Sequence, residues 1–233
     1  MASPSLTLYY KSESCSIVAH ALLRHLSIPF KGVPMKPNAD RLYEPEDGSL
    51  SHDEFAAKFP PYGYVPVLVI DDDEFITEVP AILTYIACLA PPEVRDKLLG
   101  ASPLERARVV EWMTWLSGTF LGVGIAARGR PYRLVDGEEA RKAVSKKGME
   151  TTRSCYERVE TRLRGREFAV GDALTVVDLY LYVFLRWSEN LPGIGGADFS
   201  AKFPNYEKLM KKIERLPGVQ ATLVAEKLTP MLQ

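Results

Sequence analysis

A proline at the entrance of an apolar strand restricts the fold of this 233-residue chain more than any other feature. Val67–Ile70 is a short, β-branched run typical of a buried strand, and Val65-Pro66 leads directly into it. Proline has no N–H to donate to a sheet, so it fits poorly at the start of a central strand. Two geometries resolve the conflict: a trans proline that begins an edge strand, or a cis Val65–Pro66 bond that turns the N–H and C=O of Val65 outward, toward a ligand.

The segments around this proline alternate between strand and helix patterns over the first 88 residues. Apolar side chains at helical spacing mark the helices, and short β-prone runs bounded by turn residues mark the strands. The predicted elements are strands at 5–10, 30–33, 67–70 and 74–76, helices at 15–27, 53–58 and 81–89, and an exposed loop at 36–52. The resulting order, β-α-β-α-β-β-α, favours the cis geometry for Pro66.

The second half of the chain carries helical patterns and no strand candidates. Helices are predicted at 103–127, 138–165, 175–189, 203–216 and 218–229. The predicted fold is therefore α/β plus all-α, with an α/β domain over 1–88, a linker over 89–102 and an all-helical domain over 103–233.

Composition and charge exclude several classes of protein. The 29 basic and 30 acidic residues give a net charge of −1, so no basic field attracts nucleic acid or an anionic membrane. No basic stretch followed by an apolar segment precedes the first strand, and no apolar run reaches the roughly 18 residues of a membrane span. The three cysteines are far apart, and the three histidines have no metal-ligand spacing. We expect a cytoplasmic protein, in a reducing compartment, without a metal ion.

A serine-rich segment after the first strand carries the first chemical signal. Residues 12–16 (SESCS) open a helix, with Ser14 or Ser16 as the predicted N-cap. The partial positive charge and free N–H groups of a helix N-terminus favour a thiolate over a thiol. Because Ser12 stands where a Cys-x-x-Cys pair begins, we expect the segment to stabilise a bound thiolate or to form a mixed disulfide through Cys15. The alternative is that Cys15 is a small buried residue and the serines are only caps.

A carboxylate at a second helix start carries the next signal. Thr77 and Glu78 precede the helix predicted at 81–89. A carboxylate at this place can bind a ligand ammonium while the helix N–H groups bind a ligand carboxylate, and an α-amino acid head group presents both. The alternative is an ordinary acidic helix cap.

Together these segments resemble the cytosolic glutathione transferase family, and the resemblance runs the length of the chain. It is closest to the bacterial beta class and to zeta-like bacterial and fungal members, with the subclass unresolved. The segments that carry it are Leu8-Tyr9-Tyr10, Ser14-Cys15-Ser16 with His20, Gly63-Tyr64-Val65-Pro66-Val67-Leu68, Thr77-Glu78, and residues 171–178 (GDALTVVD). Thr175 and Asp178 also have the spacing of a capping box, with Asp in place of Glu or Gln, at the start of a buried helix.

The resemblance implies a thioredoxin-like, glutathione-binding first domain and a helical second domain that contributes the second-substrate pocket. It implies that Ser14 or Cys15 donates a hydrogen bond to the glutathione thiol, with Ser12 and Tyr10 as further candidates. The residues implied in holding glutathione are Val65 through its main chain, its neighbours Tyr64 and Pro66, and Glu78 with Thr77 and Val79 at the γ-glutamyl end. The candidates for the second-substrate pocket, expected between the domains, are Tyr10, Trp115, Phe120, Arg128, Arg133 and Trp187. The tryptophans also fit a plain core, and the arginines fit a cationic helix end.

Two departures from the family pattern leave the mechanism open. Val79 replaces the serine or glycine that members often have after the acidic residue, and residues 112–127 contain no histidine to assist a beta-class cysteine. The implied function is conjugation of glutathione to a small hydrophobic electrophile by a homodimer, in detoxification or secondary metabolism. The alternatives are a glutathione-dependent cis/trans isomerase of a conjugated alkene, thiol transfer through Cys15, and a non-catalytic binding protein.

Overall fold

The computed structural model describes residues 4–39, 42–59 and 63–232, apart from the side chain of Ala197. Contacts along the chain divide it into two units. One comprises the residues up to Arg95 together with those from Lys212 onward, and the other runs from Asp96 to Lys211. The first unit holds a β-sheet and the second is helical. The domain boundaries predicted from the sequence, 1–88, 89–102 and 103–233, stay predictions.

Within the described residues, the first unit contains a five-stranded sheet in the order β3-β2-β1-β4-β5. Its strands are β1 (Leu6–Tyr10), β2 (Lys31–Pro37), β3 (Tyr43–Pro45), β4 (Val67–Ile70) and β5 (Glu74–Ile76). β1 pairs in parallel with β2 and antiparallel with β4, with Leu8 opposite Leu68 and Tyr9 opposite Val67. Leu8 and Leu68 are fully buried, as expected for the centre of a sheet. This pairing brings the end of β1 beside the start of β4.

The exposed loop predicted at 36–52 is wrong in part. β2 extends to Pro37, and the short strand β3 pairs with it antiparallel, so that Met35 lies opposite Pro45. Residues 43–45 (YEP) contain a proline and no apolar alternation, so only the neighbouring strand makes them extended. The observed order of elements in this region is β-α-β-β-α-β-β-α.

The last helix of the chain packs in the first unit. The helices of this unit are α1 (Ser16–His25), α2 (His52–Lys58), α3 (Val79–Cys88) and α11 (Pro217–Ala225). α11 lies against α1, and the two approach so closely that a Cβ atom on Gly218 collides with the main chain of His25. The predicted all-helical C-terminal region therefore contributes its final helix to the unit that holds the sheet.

The helical unit contains one long helical segment, against which the helix Glu138–Leu163 packs. α5 (Pro103–Trp115) begins at a capping box of Ser102 and Glu105, and it continues as a π-helix (Leu116–Ala126) and then as α6 (Ala127–Gly129). Further helices are α7 (Glu138–Leu163), α8 (Val176–Ser188), α9 (Ala197–Lys202) and α10 (Pro204–Glu214). A helix that the sequence did not predict, α4 (Pro92–Leu99), occupies most of the predicted linker and begins at a proline, which is favourable in the first helical turn.

Aromatic side chains form the core of the helical unit. Phe120 stacks on Phe184 with ring centroids 4.2 Å apart, and Tyr156 packs edge-on against Phe120 at 4.8 Å. The predicted capping box of Thr175 and Asp178 is confirmed at the start of α8. It fixes the first turn of a helix that is buried along most of its length.

The segment Pro103–Gly129 has the length and composition of a membrane span within the part of the chain that the structure describes. The expectation that no apolar run reaches this length was too strict, because a span tolerates glycine and hydroxyl residues between its apolar ones. A core helix of a soluble protein has the same length and composition, and Trp112, Leu116 and Phe120 of this segment are buried among other helices. Length and composition alone therefore give little support to a membrane role.

Candidate functional site

The predicted cis bond between Val65 and Pro66 is confirmed. It lies just before β4, at the edge of the sheet where Tyr9 pairs with Val67. Tyr64 is 41% exposed, whereas Val65 packs against the core of the first unit. The main chain at Val65 therefore lies between the core and solvent, at the corner where β1 ends.

The loop between β1 and α1 meets this corner. The thiol of Cys15 donates a long hydrogen bond, 3.7 Å, to the main-chain oxygen of Val65. Cys15 is half-buried and occupies the N-cap position of α1. The predicted N-cap, Ser14 or Ser16, is therefore wrong, because Ser16 is already the first helical residue and its side chain turns back into the loop. The thiol lies at a helix N-terminus, beside the entrance of β4.

Ser16 closes this loop from the inside. Its buried hydroxyl accepts a hydrogen bond from the N–H of Lys11 and donates one to the main-chain oxygen of Lys11, both at 3.0 Å. The hydroxyl of Ser14 lies 2.7 Å from that of Ser16. Either hydroxyl can be the donor in this bond, and when Ser16 gives its proton to Lys11, Ser14 donates to Ser16. In that arrangement the proton of Ser14 stays within the loop.

The other two predicted thiol partners are also engaged. The hydroxyl of Ser12 donates to the main-chain oxygen of Glu226 at 3.0 Å. The ring of Tyr10 packs against the ring of His20, with centroids 4.7 Å apart. Burial raises the pKa of the Tyr10 hydroxyl, and the carboxylates of Glu226 and Glu46 raise it further. Tyr10 therefore keeps its proton at neutral pH.

Glu78 occupies a strained position before α3. Its φ of 64° and ψ of 120° are unusual for a residue with a side chain, and such a conformation costs about 1–3 kcal/mol. α3 begins at Val79 with Pro80 in its first turn, so the predicted start at residue 81 was two residues late. The exposed Glu78 side chain makes no capping hydrogen bond to the helix, and Thr77 beside it is half-buried. Glu78 is therefore not an ordinary acidic helix cap.

Trp115 and Phe120 have different environments in the helical unit. Trp115 is half-buried, and the guanidinium of Arg158 lies 5.2 Å from its ring centroid. It borders a depression of about 310 Å³ that is also lined by Thr119, Lys147, Glu150, Thr151, Ser154, Cys155 and Arg158. Phe120 has no exposed surface and stacks on Phe184, so its predicted place in a substrate pocket is wrong. The aromatic core of the unit takes the large ring.

The remaining pocket candidates on the helical unit have different local contacts. Arg128 donates to the main-chain oxygen of Asn190 at 3.5 Å. Arg133 lies in a short 3-10 turn, and the ring of Trp187 packs edge-on against Phe184 at 5.5 Å. A pocket role for these residues and for Tyr10 stays a prediction.

Sequence reasoning missed Glu226, which contacts both the site loop and α1. Its carboxylate lies 2.8 Å from His20, and 206 residues separate the two along the chain. No local pattern marks such a contact. Among the described residues, no cluster of histidine, cysteine and acidic side chains can hold a metal ion.

Comparison with known proteins decides the family. The family model for the glutathione S-transferase N-terminal domain matches residues 8–94, and the model for the C-terminal domain matches residues 113–217. The chain belongs to the glutathione S-transferase family. The glutathione S-transferase GstA of Escherichia coli O157:H7 is 30% identical over 222 residues, which cover 95% of this chain and 98% of that protein.

Solved glutathione S-transferase structures are similar over nearly the whole chain. A sphingomonad glutathione S-transferase complexed with glutathione is 27% identical, with a TM-score of 0.75. A bacterial beta class glutathione S-transferase of Sphingomonas chungbukensis is 26% identical, with a TM-score of 0.76, and each alignment covers 96% of this chain and 100% of the other. The predicted family, its beta-like character and the fold, a thioredoxin-like domain followed by a helical domain, are confirmed.

Proposed function

We propose that this glutathione S-transferase binds glutathione in its first unit and activates the thiol for addition to a small hydrophobic electrophile. The observation that carries the proposal is the meeting of Cys15, at the N-terminus of α1, with the main chain of Val65. A ligand thiol at this point lies beside helix N–H donors and beside a main chain that can pair with a peptide. The sphingomonad relative, which is complexed with glutathione, supports glutathione as the ligand.

In this proposal glutathione extends along the entrance of β4. Val65 pairs with the cysteinyl residue through its N–H and C=O. The Glu78 carboxylate, with Thr77 beside it, holds the ammonium of the γ-glutamyl end, and the N–H of Val79 holds its carboxylate. The strained backbone of Glu78 supports this role, because strained conformations cluster at ligand-binding and catalytic sites.

We assign Cys15 as the hydrogen-bond donor that stabilises the glutathione thiolate. Lowering a thiol pKa by about 2 units from its usual value near 8.5 requires roughly 2.7 kcal/mol of preference for the thiolate. A hydrogen bond to the anion and a helix N-terminus each contribute on the order of 1–2 kcal/mol. The Ser12 hydroxyl donates to Glu226 and the Ser14 hydroxyl is paired with that of Ser16, whereas the bond from the Cys15 thiol to Val65 is long, 3.7 Å, and is the easiest of the three to redirect.

The test is a titration of the glutathione thiol, followed by the ultraviolet absorbance of the thiolate, on wild type, Cys15→Ala and Ser14→Ala. We expect the pKa of bound glutathione to be lowered in wild type and in Ser14→Ala, and to return toward the free value in Cys15→Ala. An equal pKa for free and wild-type-bound glutathione rules out thiol activation. Loss of the shift in Ser14→Ala alone assigns the activation to Ser14.

Thiol transfer is the second candidate, and the partial exposure of Cys15 favours it. The Cys15 thiolate attacks the sulfur of glutathione in a mixed disulfide, the S–S bond breaks, and the other thiol leaves as its thiolate. A second glutathione thiolate then displaces Cys15, and glutathione disulfide forms. The intact mass of the protein after incubation with glutathione disulfide reveals the Cys15 adduct. Isomerisation of a conjugated alkene uses the same glutathione thiolate as conjugation, so the same variants test it. A non-catalytic binding protein binds glutathione but shows no rate in any of these assays.

We infer further that the protein is a cytoplasmic homodimer that acts in detoxification or secondary metabolism without a metal ion. Exposed apolar side chains on the long helical segment support self-association: Leu104 is 67%, Val110 59% and Val123 56% exposed. Sedimentation equilibrium tests the dimer. The mass of a single subunit at micromolar concentration excludes it.

A further inference from the structure

A buried polar chain joins the end of the sequence to the first helix. Nδ1 of His20 lies 2.8 Å from a carboxylate oxygen of Glu226, and Nε of Arg24 donates to Nε2 of His20 at 2.9 Å. The His20 side chain is 1% exposed and that of Glu226 has no exposed surface. Burial of polar groups is costly unless they are paired, so the two hydrogen bonds of His20 favour this one arrangement of the side chains.

The two hydrogen bonds determine where the proton lies on His20. A guanidinium can only donate, so Nε2 of His20 accepts from Arg24 and carries no proton. The proton is therefore on Nδ1 and is donated to Glu226. The rings of Tyr10 and Phe30 pack on the imidazole at 4.7 and 5.3 Å, and they hold it in this orientation.

Glu226 also reaches the loop that carries Cys15. Its main-chain oxygen accepts the hydrogen bond from the Ser12 hydroxyl at 3.0 Å. Glu226 is the C-cap of α11, and the first turn of α11 meets the far end of α1 where Gly218 contacts His25. α11 therefore runs antiparallel along α1, with Glu226 at the end where the loop begins.

We propose that Glu226 is a positioning residue for the thiol site. Its carboxylate orients α1 through His20, and its main-chain oxygen holds the loop through Ser12, so that Cys15 meets Val65. The effect on activity rests on the proposed function. The effect of Glu226 on the placement of the loop does not depend on the proposed function and can be measured separately.

Removing the carboxylate in Glu226→Ala leaves the Nδ1–H of His20 buried without its acceptor and loosens the loop. We expect kcat to fall about tenfold or more, since small misplacements of reacting groups have effects of this size. We expect KM for glutathione to change less than about threefold, because the proposed contacts of Val65 and Glu78 with the tripeptide are unchanged. Ser12→Ala shows the same split, and Glu226→Gln, which keeps an acceptor oxygen for His20, restores kcat toward wild type.

Two matched controls separate positioning from stability. Val224→Ala changes a residue of α11 that is 79% exposed, and it leaves kcat unchanged. Val159→Ala removes buried methyl groups in the helical unit and lowers Tm without altering the first unit. With each protein assayed equally far below its own Tm, an equal loss of kcat in Val159→Ala and Glu226→Ala overturns the proposal. Failure of Glu226→Gln to restore kcat overturns it as well.

Amide hydrogen exchange tests the placement of the loop without glutathione. We expect the peptide covering residues 11–20 to exchange at least about tenfold faster in Glu226→Ala and Ser12→Ala, with residues 103–129 unchanged. Unchanged exchange at 11–20 overturns the proposal even where kcat falls. If the wild-type protein does not bind glutathione, the proposed function fails, and the exchange result still decides whether Glu226 positions the loop.

Discussion

The thiol of Cys15 lies 3.7 Å from the main-chain oxygen of Val65, fifty residues further along the chain. The antiparallel pairing of β1 with β4 brings them together, because Tyr9 lies opposite Val67 and the two loops leave the same edge of the sheet. A thiol at a helix N-terminus is thereby placed beside main-chain groups that can pair with a peptide.

Replacing the thiol of Cys15 by a hydroxyl separates the two candidate reactions. We expect Cys15→Ser to keep part of the conjugation rate, since a hydroxyl also donates a hydrogen bond to a thiolate, and to lose the mixed disulfide with glutathione completely. Initial rates of conjugation and the intact mass after incubation with glutathione disulfide measure the two effects. Cys88→Ser, at an exposed thiol, is the matched control and keeps the Cys15 adduct. An adduct that persists in Cys15→Ser contradicts the assignment.

Glycine at position 78 relieves backbone strain at the expense of binding. The φ of 64° at Glu78 suits glycine, and we expect Glu78→Gly to raise the free energy of unfolding by about 1 kcal/mol, because relief of strain exceeds the added chain entropy. Affinity for glutathione falls, since the partner of the ligand ammonium is gone. Urea unfolding and calorimetric titration measure both effects. Glu78→Gln keeps the strain and the stability but loses affinity, and unchanged affinity in both variants rules out Glu78 as a ligand-binding residue.

The buried carboxyl of Asp178 makes stability depend on pH. Burial raises its pKa to about 6 from 3.8, although the N–H groups of Ala169 and Thr175 oppose the shift. The folded state therefore binds the proton more tightly than the unfolded chain, and the contribution of Asp178 to stability is greatest below about pH 4 and declines until about pH 6.

Asp178→Asn lacks this titration and serves as the reference. The free energy of unfolding of wild type minus that of Asp178→Asn declines as the pH rises from about 4 to 6, and it is constant above about pH 7. Urea unfolding across this range measures the difference, in which the other titrating groups cancel. A difference that increases with pH shows that the three hydrogen bonds on the carboxylate outweigh its burial.

A methyl group at position 218 separates α11 from α1. The Cβ atom of Gly218→Ala meets the main chain of His25, which cannot move aside as a flexible side chain can. We expect a loss of about 1–3 kcal/mol in the free energy of unfolding, the usual effect of overpacking. Gly129→Ala is the control, because no atom lies within 4 Å of its added Cβ, and helix propensity makes that change neutral or stabilising. Equal effects of the two variants on thermal unfolding contradict the close approach of α11 to α1.

The three cysteines differ in reactivity. Burial raises the pKa of the Cys155 thiol to about 11, whereas Cys88 is exposed and Cys15 is half-buried. We expect a thiol reagent at about pH 8 to modify Cys88 and Cys15 in the native protein and to reach Cys155 only after unfolding. The number of thiols that react before and after adding denaturant measures this. Cys155→Ala leaves the native count unchanged, and a decrease in that variant contradicts the burial of Cys155.

Much of the fold could be predicted because the local signals were strong. The strands at 67–70 and 74–76, the capping box of Thr175 and Asp178, and most helices of the second half follow from periodicity and capping alone, whereas the short helix α9 was not predicted. β3 could not be predicted, because residues 43–45 become extended only by pairing with β2. The burial of Phe120 could not be predicted either, because the face of an apolar helix that meets the core depends on its neighbours.

The sequence by itself determined most of the order of the elements, the proline before β4 and the two segments that carry thiol and amino-acid chemistry. Those features depend on residues a few positions apart, where periodicity, capping and backbone restrictions are strong enough to be recognised in the sequence. Only the tertiary structure decided that Ser14 pairs with Ser16, that Cys15 meets Val65, and that Glu226 holds both Ser12 and His20. Several of these contacts join residues that are 50 to 214 positions apart, and such pairs are brought together by sheet register and by the packing of α11 on α1.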